Sequence, residues 1–562
     1  MKGNKLFLAM GGALLLSAGL YAQTVYDITP IMTNELNGTA RFAGMGGAMG
    51  ALGGDITTIG TNPAGIGIYR SNDVSVSMSY NDVQSKGTFN GMTTKDSRSR
   101  LSFDQIGFVY SNKIGNNTSL RFVNFGFNYR KLNNFNKRFA MQGNMEGASQ
   151  TGYMAYQTAL ASISDQEWEQ GVRPKSKYYN DVWRISDNNG SKFEHFYDMA
   201  FKQSDVDAYD NNKFGWLSVM GGRTGLVDAA SVTEDGKQYV DFYGWNGDYA
   251  SYRSETKGGV NVYDFNVSFN IEDRFYFGLT VGAYDVDYSR YSVYGEDLSA
   301  GELAASYSFE NWYKTDGSGV DVKLGFIVRP FEYSPLRLGF AVHTPTWYSL
   351  TESYSARLRS EYDMLNGGTI ERYEAETDSY NGWGGNVVND YELTTPWKFN
   401  LSAGYTIGTS VALGAEYEYA DYSSAKLKNG DGYEDSYMVT QNSFIKEDLK
   451  GVHTLRLGME AKLVPEFSIR AGYNYSSAMY NKNAYKELSP YTTRTDTQYA
   501  NGLATNTFSV GLGYRLSNFY ADMAYVYSTQ KSDFYSFDDE SLPATRMKDD
   551  KSRVLLTLGI RF

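Results

Sequence analysis

The three histidines are the side chains in this chain best suited to hold a metal ion or a haem group. His195, His343 and His453 lie far apart, and no spacing among them matches a known ligand motif. His343 has the strand parity of an inward-facing side chain near the end of a predicted strand. We therefore keep His343 as a candidate ligand contact and expect neither a bound metal nor a cofactor.

Acidic and catalytic motifs give little support for other chemistry. The clusters Asp538–Glu540 and Asp431–Asp435 do not have the spacing of a calcium loop and are interpreted as solvated loops. No GxSxG elbow and no HExxH pair occurs in the sequence. A net charge of −12 is unsuited to a nucleic-acid partner. We expect a protein that is not an enzyme and binds no nucleic acid.

The segment Gly38–Gly67 contains ten glycines in thirty residues. A phosphate-binding loop would need the G-x-G-x-x-G spacing or a P-loop lysine, and it would follow a strand. The segment has neither feature, and no predicted strand precedes it. Its role therefore depends on the elements around it.

The first 22 residues have the pattern of a secretion signal. The chain begins with MKGNK, an apolar run extends from Leu6 to Leu20, and Ala22 precedes the expected cleavage point. The apolar run is too short for a comfortable membrane span. The chain has no cysteine but 48 tyrosines, whose ring and hydroxyl suit a membrane interface.

From Asp73 onward, apolar and polar residues alternate with the period of a β-strand. We count fourteen such segments, beginning with Val74–Tyr80 and ending with Val554–Phe562. The links between them alternate in length. Short links such as Glu272–Arg274 are rich in turn residues, and long links such as Asn81–Ser102 lie between them.

This alternation predicts an all-β fold, in which residues 73–562 form a 14-stranded antiparallel transmembrane β-barrel. Short turns at one rim and long loops at the other are typical of an outer-membrane barrel with both ends on the periplasmic side. A soluble multi-domain β protein has no reason to alternate its link lengths in this way. The largest loop, 131–258, contains a helical pattern over Gly152–Gly171 that would either cap the pore or pack on its own loop.

The face opposite the apolar residues would line the barrel. It mixes both charges, as at Lys323, Glu416 and Arg470, which favours internal ion pairs over a selective ion path. A barrel of this size leaves an open lumen unless something fills it. We infer that residues 23–72 form a Gly-rich hatch, or plug, whose backbone approaches glycines of the wall. Those wall glycines are Gly107, Gly126, Gly278, Gly282, Gly325, Gly339, Gly404, Gly414, Gly458, Gly472, Gly511, Gly513 and Gly559.

Residues 41–67, RFAGMGGAMGALGGDITTIGTNPAGIG, resemble the N-terminal hatch of the FadL family of outer-membrane transporters. The triplet Asn62-Pro63-Ala64 is the most specific part of this resemblance. Two barrel stretches, 317–330 and 395–405, also look familial. The hatch residues marked by the resemblance are Gly44, Gly46, Gly47, Gly50, Gly53, Gly54, Asn62, Pro63 and Ala64.

The resemblance implies a mechanism in three steps. Extracellular loops capture a hydrophobic ligand, the ligand moves to a site above the hatch, and it leaves past the hatch or sideways through the wall. The sideways opening is expected near an inward kink in the third strand, which here carries Arg121, Asn124 and Gly126. Relatives in this family are often labelled haemin receptors, which leaves the cargo open.

We therefore expect an outer-membrane transporter that takes up small hydrophobic molecules passively, with long-chain fatty acids as one cargo. Two alternatives stay open: a general porin for polar solutes, and a platform that binds a secretion or surface-attachment partner without transport. The expected partners are the ligand, outer-membrane lipids and the assembly machinery, which would recognise the C-terminal strand ending at Phe562. We expect the chain to be a monomer.

Overall fold

The structure is a computed structural model that describes residues 23–178, 182–202, 209, 214–300, 303–364, 369–377 and 387–562. The predicted signal segment 1–22 lies outside the described residues. Among the described helices, none is both long and apolar enough to cross a membrane.

Fourteen of the described strands form one closed antiparallel barrel, which confirms the predicted fold class. The barrel closes because the first strand pairs with the last, from Asp73 opposite Arg561 to Thr88 opposite Arg546. This pairing removes the edges that the first and last strands would otherwise expose to lipid. The fourteen strands are β1 (Asp73–Phe89), β2 (Met92–Lys113), β3 (Leu120–Asn134), β9 (Asn246–Ile271), β10 (Phe275–Ala300), β11 (Leu303–Val328), β12 (Arg337–His343), β16 (Lys398–Ile407), β17 (Val411–Asp421), β19 (Gly451–Val464), β20 (Phe467–Ser476), β21 (Tyr499–Leu516), β22 (Phe519–Tyr535) and β23 (Thr545–Arg561).

Further strands extend the wall at the rim that carries the long loops, which we call the long-loop rim. Where β12 ends, β13 takes its place beside β11, and β15 then pairs with β13. β18 pairs with β15, β14 pairs with β13, and β4 pairs with the outer part of β9. Their bounds are β4 (Lys137–Gly147), β13 (Trp347–Met364), β14 (Thr369–Glu376), β15 (Val387–Thr394) and β18 (Lys426–Asn429).

The apolar residues of the strand alternation point outward and form an exposed belt around the barrel. One cross-strand row joins Phe103, Met78, Leu556 and Met523 on four adjacent strands. Met78 is 53% exposed, although its long apolar side chain would be buried in a water-soluble sheet. A continuous apolar belt of this kind is stable in contact with lipid chains, so the barrel spans a membrane.

The link between β1 and β2 differs from the prediction of a long loop at Asn81–Ser102. Both strands continue through it to a two-residue turn, Asn90-Gly91, in which both residues have positive φ angles, 42° and 80°. An Asn-Gly pair suits such a hairpin turn. The extension has polar and charged residues on its outer face, so the apolar alternation ends although the strands do not. The same reason explains why β10 and β11 continue as paired strands as far as Ala300 and Leu303.

Helices and a small second sheet occupy the lumen and the long-loop rim. The N-terminal segment contains α1 (Val25–Met32), α2 (Ala40–Gly44) and two 3₁₀ turns, Ile56–Gly60 and Pro63–Ile68. The long insertion between β3 and β9 contains a four-stranded sheet in the order β5-β6-β8-β7. The remaining elements are α3 (Gln150–Ala161), α4 (Asp165–Glu169), β5 (Lys175–Tyr178), β6 (Val182–Ser186), α5 (Ser191–Phe201), α6 (Trp216–Arg223), β7 (Asp228–Glu234), β8 (Lys237–Tyr243), the 3₁₀ turn Tyr422–Ser424 and α7 (Ser436–Asp448).

The extension of β1 can be checked by cysteine labelling, because the native chain has no cysteine. In a strand, Gln84 faces outward and Ser85 faces inward, where it is 2% exposed. We expect Gln84→Cys to react with a membrane-impermeant maleimide on intact cells, and Ser85→Cys to react at least ten-fold more slowly until the protein is unfolded. Equal labelling of both variants would show that this segment is a loop.

Candidate functional site

The segment 23–72 lies inside the barrel and runs along its full height. At the rim with the short turns, the backbone of Asn72 pairs with that of Phe562 through two hydrogen bonds of 2.9 and 3.1 Å. At the long-loop rim, the Gln23 carbonyl accepts a hydrogen bond from the Tyr437 hydroxyl on α7 (2.9 Å). The segment therefore connects both rims through the lumen. Of the predicted hatch, residues 23–72, the lower part 38–72 fills the lumen against the wall, and from here on the name hatch refers to this part.

Glycines of the hatch and of the wall meet directly. A β-carbon on Gly472 of β20 would overlap the backbone of Met45 and Gly46, and one on Gly414 of β17 would overlap the Ala48 carbonyl. In the opposite direction, a β-carbon on Gly46 would lie 2.7 Å from the Tyr473 nitrogen. The backbone of the hatch therefore packs on the backbone of the wall, a distance that only glycine permits. Gly44 lies against the backbone of Gly511, and Gly50 lies against the side chains of Glu416 and Ser402. Gly47, Gly53 and Gly54 turn the hatch backbone through positive φ angles.

The triplet Asn62-Pro63-Ala64 fastens the hatch to three wall strands. The Asn62 side chain caps the second 3₁₀ turn by accepting from Ala64 N (3.2 Å), and its amide donates to the Phe326 carbonyl (3.3 Å). The Pro63 carbonyl accepts from the Ser268 hydroxyl (2.8 Å). Gly278 and Gly325 of the wall leave the space that this turn fills.

Buried ion pairs join the hatch to the opposite side of the wall. Arg41 of α2 donates two hydrogen bonds to Glu460 at 2.9 and 3.1 Å, and Arg470 donates to the same carboxylate at 2.6 Å. Arg470 also pairs with Asp522 (2.6 Å). The charges predicted on the inner face thus form internal pairs, and one of these pairs includes a residue of the hatch.

Asn124 and Gly126, which the sequence predicts near a sideways opening, lie where β3 is paired on both sides. Asn124 stands opposite Ser111 of β2 and Ser268 of β9, and its amide donates to the Ile66 and Tyr69 carbonyls of the hatch. Arg121 lies in a register shift of the β3–β9 pairing close to the short-turn rim. These residues seal the hatch or end the strand.

The wall is interrupted higher up, between β2 and β3. The ladder between these strands ends at Gln105 opposite Arg130, and the next residue of β2, Asp104, forms a bulge against β1. Beyond this point the described part of β2 has no ladder partner on the side facing β3 and β4. We call this break the β2–β3 seam. Polar side chains cross it, including a hydrogen bond from Lys131 Nζ to the Ser102 hydroxyl (3.2 Å).

The seam begins within the apolar belt. Phe103 and Leu101 of β2 flank it, opposite Met78 and Tyr80, and they are 39% and 78% exposed. No sequence feature used above locates this seam, because an interrupted ladder depends on which strand each segment pairs with. The sequence feature closest to the seam is a shift in the apolar–polar alternation of β2. Outward-facing apolar residues have odd numbers up to Phe103 and even numbers from Ile106 onward.

A cavity of about 560 Å³ lies above the hatch, and Arg130 and Leu132 of β3, which border the seam, line it. Its wall next to the seam includes Val83 on one side and Leu132 and Phe135 on the other. Most of its large apolar side chains are in its upper part, where the ion pairs Lys137–Asp549 and Lys551–Glu35 also line it. Further charged groups form its floor directly above the hatch. The apolar and aromatic lining residues include Leu36, Val83, Leu132, Phe135, Tyr288, Tyr422, Met479, Tyr480, Leu503 and Met547.

The charged floor of the cavity contains both paired and unpaired cations. Lys323 lies 2.8 Å from both Asp264 and Asp321. Arg130, which is 6% exposed, has no hydrogen bond or ion pair with any described residue, and its Nε atom is buried without an acceptor. Lys398 likewise makes no ion pair within the described chain and lies 3.2 Å from the Asn34 amide.

His343 also lines this floor, as its strand parity predicts. Its Nε2–H donates to the Thr61 carbonyl of the hatch at 2.9 Å, so one ring nitrogen is already used. His195 lies on α5 far from the cavity, and His453 contacts the Tyr417 hydroxyl on the outer face. Among the described residues, no group of three or more His, Cys, Asp or Glu side chains is arranged to hold a metal ion.

Helix α1 forms the roof of the cavity, where Thr29 and Pro30 line it. A buried ion cluster holds this helix: Arg494 donates to Asp27 at 3.0 Å and to Asp496 at 2.7 Å. Burial opposes ionisation of Asp496, but the nearby charges of Arg494 and Lys486 hold its pKa well below its usual range. Arg494 and Asp496 are therefore charged at neutral pH, and the cluster fixes α1 beneath the loops.

The insertion between β3 and β9 folds over the same rim as a cap. The predicted helix at Gly152–Gly171 is two helices, α3 and α4, separated at Ser162 and Ser164. α3 is buried on nearly all sides, because it lies between the barrel and the small sheet instead of at a surface. Ser149 caps α3 and donates to Glu296 of β10. Glu296 lies far above the apolar belt, and burial raises its pKa to about 7.

No protein-family model and no curated protein matches this sequence. The chain is similar to a solved FadL homologue of Pseudomonas aeruginosa at 14% identity, covering 97% of this chain and 100% of that chain with a TM-score of 0.48. For the toluene transporter TbuX of Ralstonia pickettii, the identity is 12%, the coverages are 94% and 99%, and the TM-score is 0.44. For the toluene transporter TodX of Pseudomonas putida, the corresponding values are 11%, 94%, 100% and 0.42. Likenesses this distant do not transfer a cargo.

The contact between wall and hatch backbones predicts a leak when a wall glycine is enlarged. Gly472→Val places two methyl groups where Met45 and Gly46 lie, so we expect the hatch to shift. Overpacking of this kind costs about 1–3 kcal/mol of stability. In planar bilayers we expect the wild type to show little steady conductance and the variant to show a several-fold increase.

Ala471→Val is the matched control for this prediction, because Ala471 is the outward-facing neighbour on the same strand. It places the same valine side chain toward the lipid and should leave conductance and protease resistance of residues 38–67 unchanged. If both variants behave alike, the close glycine contact does not hold the hatch.

Proposed function

We propose that this chain is an outer-membrane channel for the passive uptake of small hydrophobic molecules that carry an acidic head, such as long-chain carboxylic acids. The observation that supports this proposal is that three features follow one another along the lumen of the barrel. A closed hatch lies below, a cavity with a charged floor and with many aromatic and aliphatic side chains higher up lies above it, and the cavity borders a seam within the apolar belt.

The closed hatch favours a transporter that carries a bound ligand over a porin through which polar solutes diffuse freely. Backbone contacts at Gly46, the Asn62-Pro63-Ala64 turn and the Arg41–Glu460 pair attach the hatch to different sides of the wall. A porin of this strand number would need a continuous wet path through the lumen. The attachment of the hatch on several sides argues against such a path.

The charged floor of the cavity is the evidence that the proposed ligand has an acidic head. A buried guanidinium without an acceptor is costly, because hydrogen bonds to a charged group contribute about 1.5–3 kcal/mol each. Arg130 and Lys398 both lie at this floor without a carboxylate partner among the described residues. A ligand carboxylate beside Arg130 would supply the missing acceptor. Toluene, after which two similar transporters are named, has no group that would do so.

The lining of the upper part of the cavity is the evidence that the proposed ligand has an apolar tail. Its aromatic and aliphatic side chains can cover a hydrocarbon chain, and a volume of about 560 Å³ lies in the range of ligand pockets. The proposed ligand would therefore lie with its head near Arg130 and its tail toward α1 and the seam.

The seam supports an exit sideways into the membrane. A hydrophobic molecule that leaves between β2 and β3 enters lipid at the level of Phe103 and avoids water. The side chains that cross the seam, such as Lys131 and Arg98, which pairs with Glu255 of β9, end in flexible charged groups. These groups can move apart without breaking backbone pairs. In this proposal they close the seam when no ligand passes.

The charged floor predicts a loss of affinity that depends on the ligand head. We expect Arg130→Met to weaken binding of a long-chain carboxylic acid by about ten-fold to a hundred-fold, because about 1.5–3 kcal/mol of charge-assisted hydrogen bonding is lost. Binding of the matching long-chain alcohol should change less than three-fold. Titration of both ligands into the purified protein, followed by tryptophan fluorescence, measures the difference.

Arg515→Met is the matched control, because Arg515 is an exposed arginine at the short-turn rim. It should leave both affinities unchanged. Equal weakening of acid and alcohol by Arg130→Met would point to a distorted cavity, and unchanged affinity for the acid would contradict the proposed orientation.

The seam predicts that transport stops when β2 and β3 are joined. We expect a Ser102→Cys, Lys131→Cys variant to lose at least ten-fold of its uptake of a labelled long-chain acid by cells after treatment with a short bis-maleimide. A monofunctional maleimide should have a much smaller effect, because it fills the seam without joining the strands.

The control for this experiment is Gln84→Cys with Ser97→Cys, which joins residues already paired between β1 and β2. Uptake by this variant should survive the cross-linker. Persistent uptake through the joined seam, with unchanged ligand affinity, would show that the ligand leaves past the hatch.

A further inference from the structure

Four lysines form a row across the outer face of the barrel wall. Lys86 of β1 pairs directly with Lys95 of β2 on one side and with Lys548 of β23 on the other. Lys548 in turn pairs with Lys531 of β22. All four point outward, and at a strand spacing of about 4.8 Å the row spans about 14 Å.

Most of this charge has no partner within the protein. Lys548 pairs with Asp550 at 2.7 Å, but Lys86, Lys95 and Lys531 make no ion pair or hydrogen bond with any described residue. Like charges directly opposite one another destabilise a sheet. Arg546 adds a fifth cation in the next row outward, where it stands opposite Asp533. Four lysines placed side by side on neighbouring strands are therefore a cost that a bound anion would offset.

The height of the row indicates what it faces. Lys86 lies six residues beyond Tyr80, the last exposed ring of the apolar belt on β1. Six residues extend about 20 Å along a strand, or about 15 Å along the membrane normal at a tilt of about 40°. Long lysine side chains can also reach back toward the membrane surface. The row thus lies beside the sugar and headgroup layer of the leaflet at the long-loop rim.

We propose that this lysine row binds a phosphorylated glycolipid of the outer leaflet, with its phosphates against Lys86 and its three neighbours. Such a lipid presents several fixed negative charges at one height, which matches a row that runs across four strands at one height. Binding would neutralise the row and immobilise the lipid beside the β2–β3 seam, since Lys95 lies on the strand that borders the seam.

The test uses the purified full-length protein in detergent and diphosphorylated lipid A as the probe. The variant replaces Lys86, Lys95, Lys531 and Lys548 by Gln, which removes repulsion and so should leave the barrel folded. We expect at least ten-fold weaker binding by native mass spectrometry, and wild-type binding of dephosphorylated lipid A to be equally weak. Heat-dependent mobility on gels confirms the fold of each variant.

Two further variants keep the test decisive. The control replaces four other exposed lysines, Lys257, Lys314, Lys426 and Lys428, by Gln and should bind like the wild type. Lys86→Glu with Lys531→Glu alternates the charges along the row, should stabilise pairing, and should also lose the lipid. Unchanged binding by the four-Gln variant, or equal loss in the control, would overturn the proposal. Tight binding of soluble tripolyphosphate with no preference for lipid A would overturn the assignment to a membrane lipid.

Discussion

The structure depends on how closely two backbones can approach inside a barrel that is too wide to fill with its own side chains. Fourteen strands enclose a space that the wall residues alone leave open. The hatch fills it with main chain instead of bulky side chains, and this requires glycine on both surfaces, as at Gly46 and Gly472. The polar seals then follow, because main-chain carbonyls brought to the wall need donors such as Ser268 and Asn124.

This arrangement also determines where a ligand can be held. Below the level of Thr61 the lumen is filled, and above Thr29 helix α1 and the cap close it, so the remaining space is a chamber between two parts of the same N-terminal segment. The only described interruption of the β2–β3 ladder borders this chamber, within the apolar belt. The hatch thus blocks the way down through the lumen, and the interrupted wall offers a way to the side. Together they direct a hydrophobic molecule toward lipid.

Most of the barrel could be predicted from the sequence, because lipid imposes a strict alternation that sequence periodicity reports directly. Each predicted apolar set lies in one of the fourteen strands, and the contact between glycines of wall and hatch followed from their recurrence. The extension of β1 and β2 to Asn90-Gly91 was missed, since strands outside the membrane no longer need apolar residues. The seam and the lysine row could not be predicted, because they depend on which residues pair across strands. Neither the bulge at Asp104 nor the row at Lys86 can be recognised until the partners on the adjacent strands are known.

The course of the N-terminal segment constrains the order in which the chain can be assembled. β1 and β23 are the strands that complete the ring, and the hatch leads directly into β1 at the rim where Asn72 meets Phe562. Helix α1, with buried Asp27, lies at the opposite rim. Threading this charged helix through a finished, narrow lumen would require it to pass every seal of the hatch. The simplest route is that the ring closes around a segment already in place, so that the hatch serves as the core on which the wall is laid.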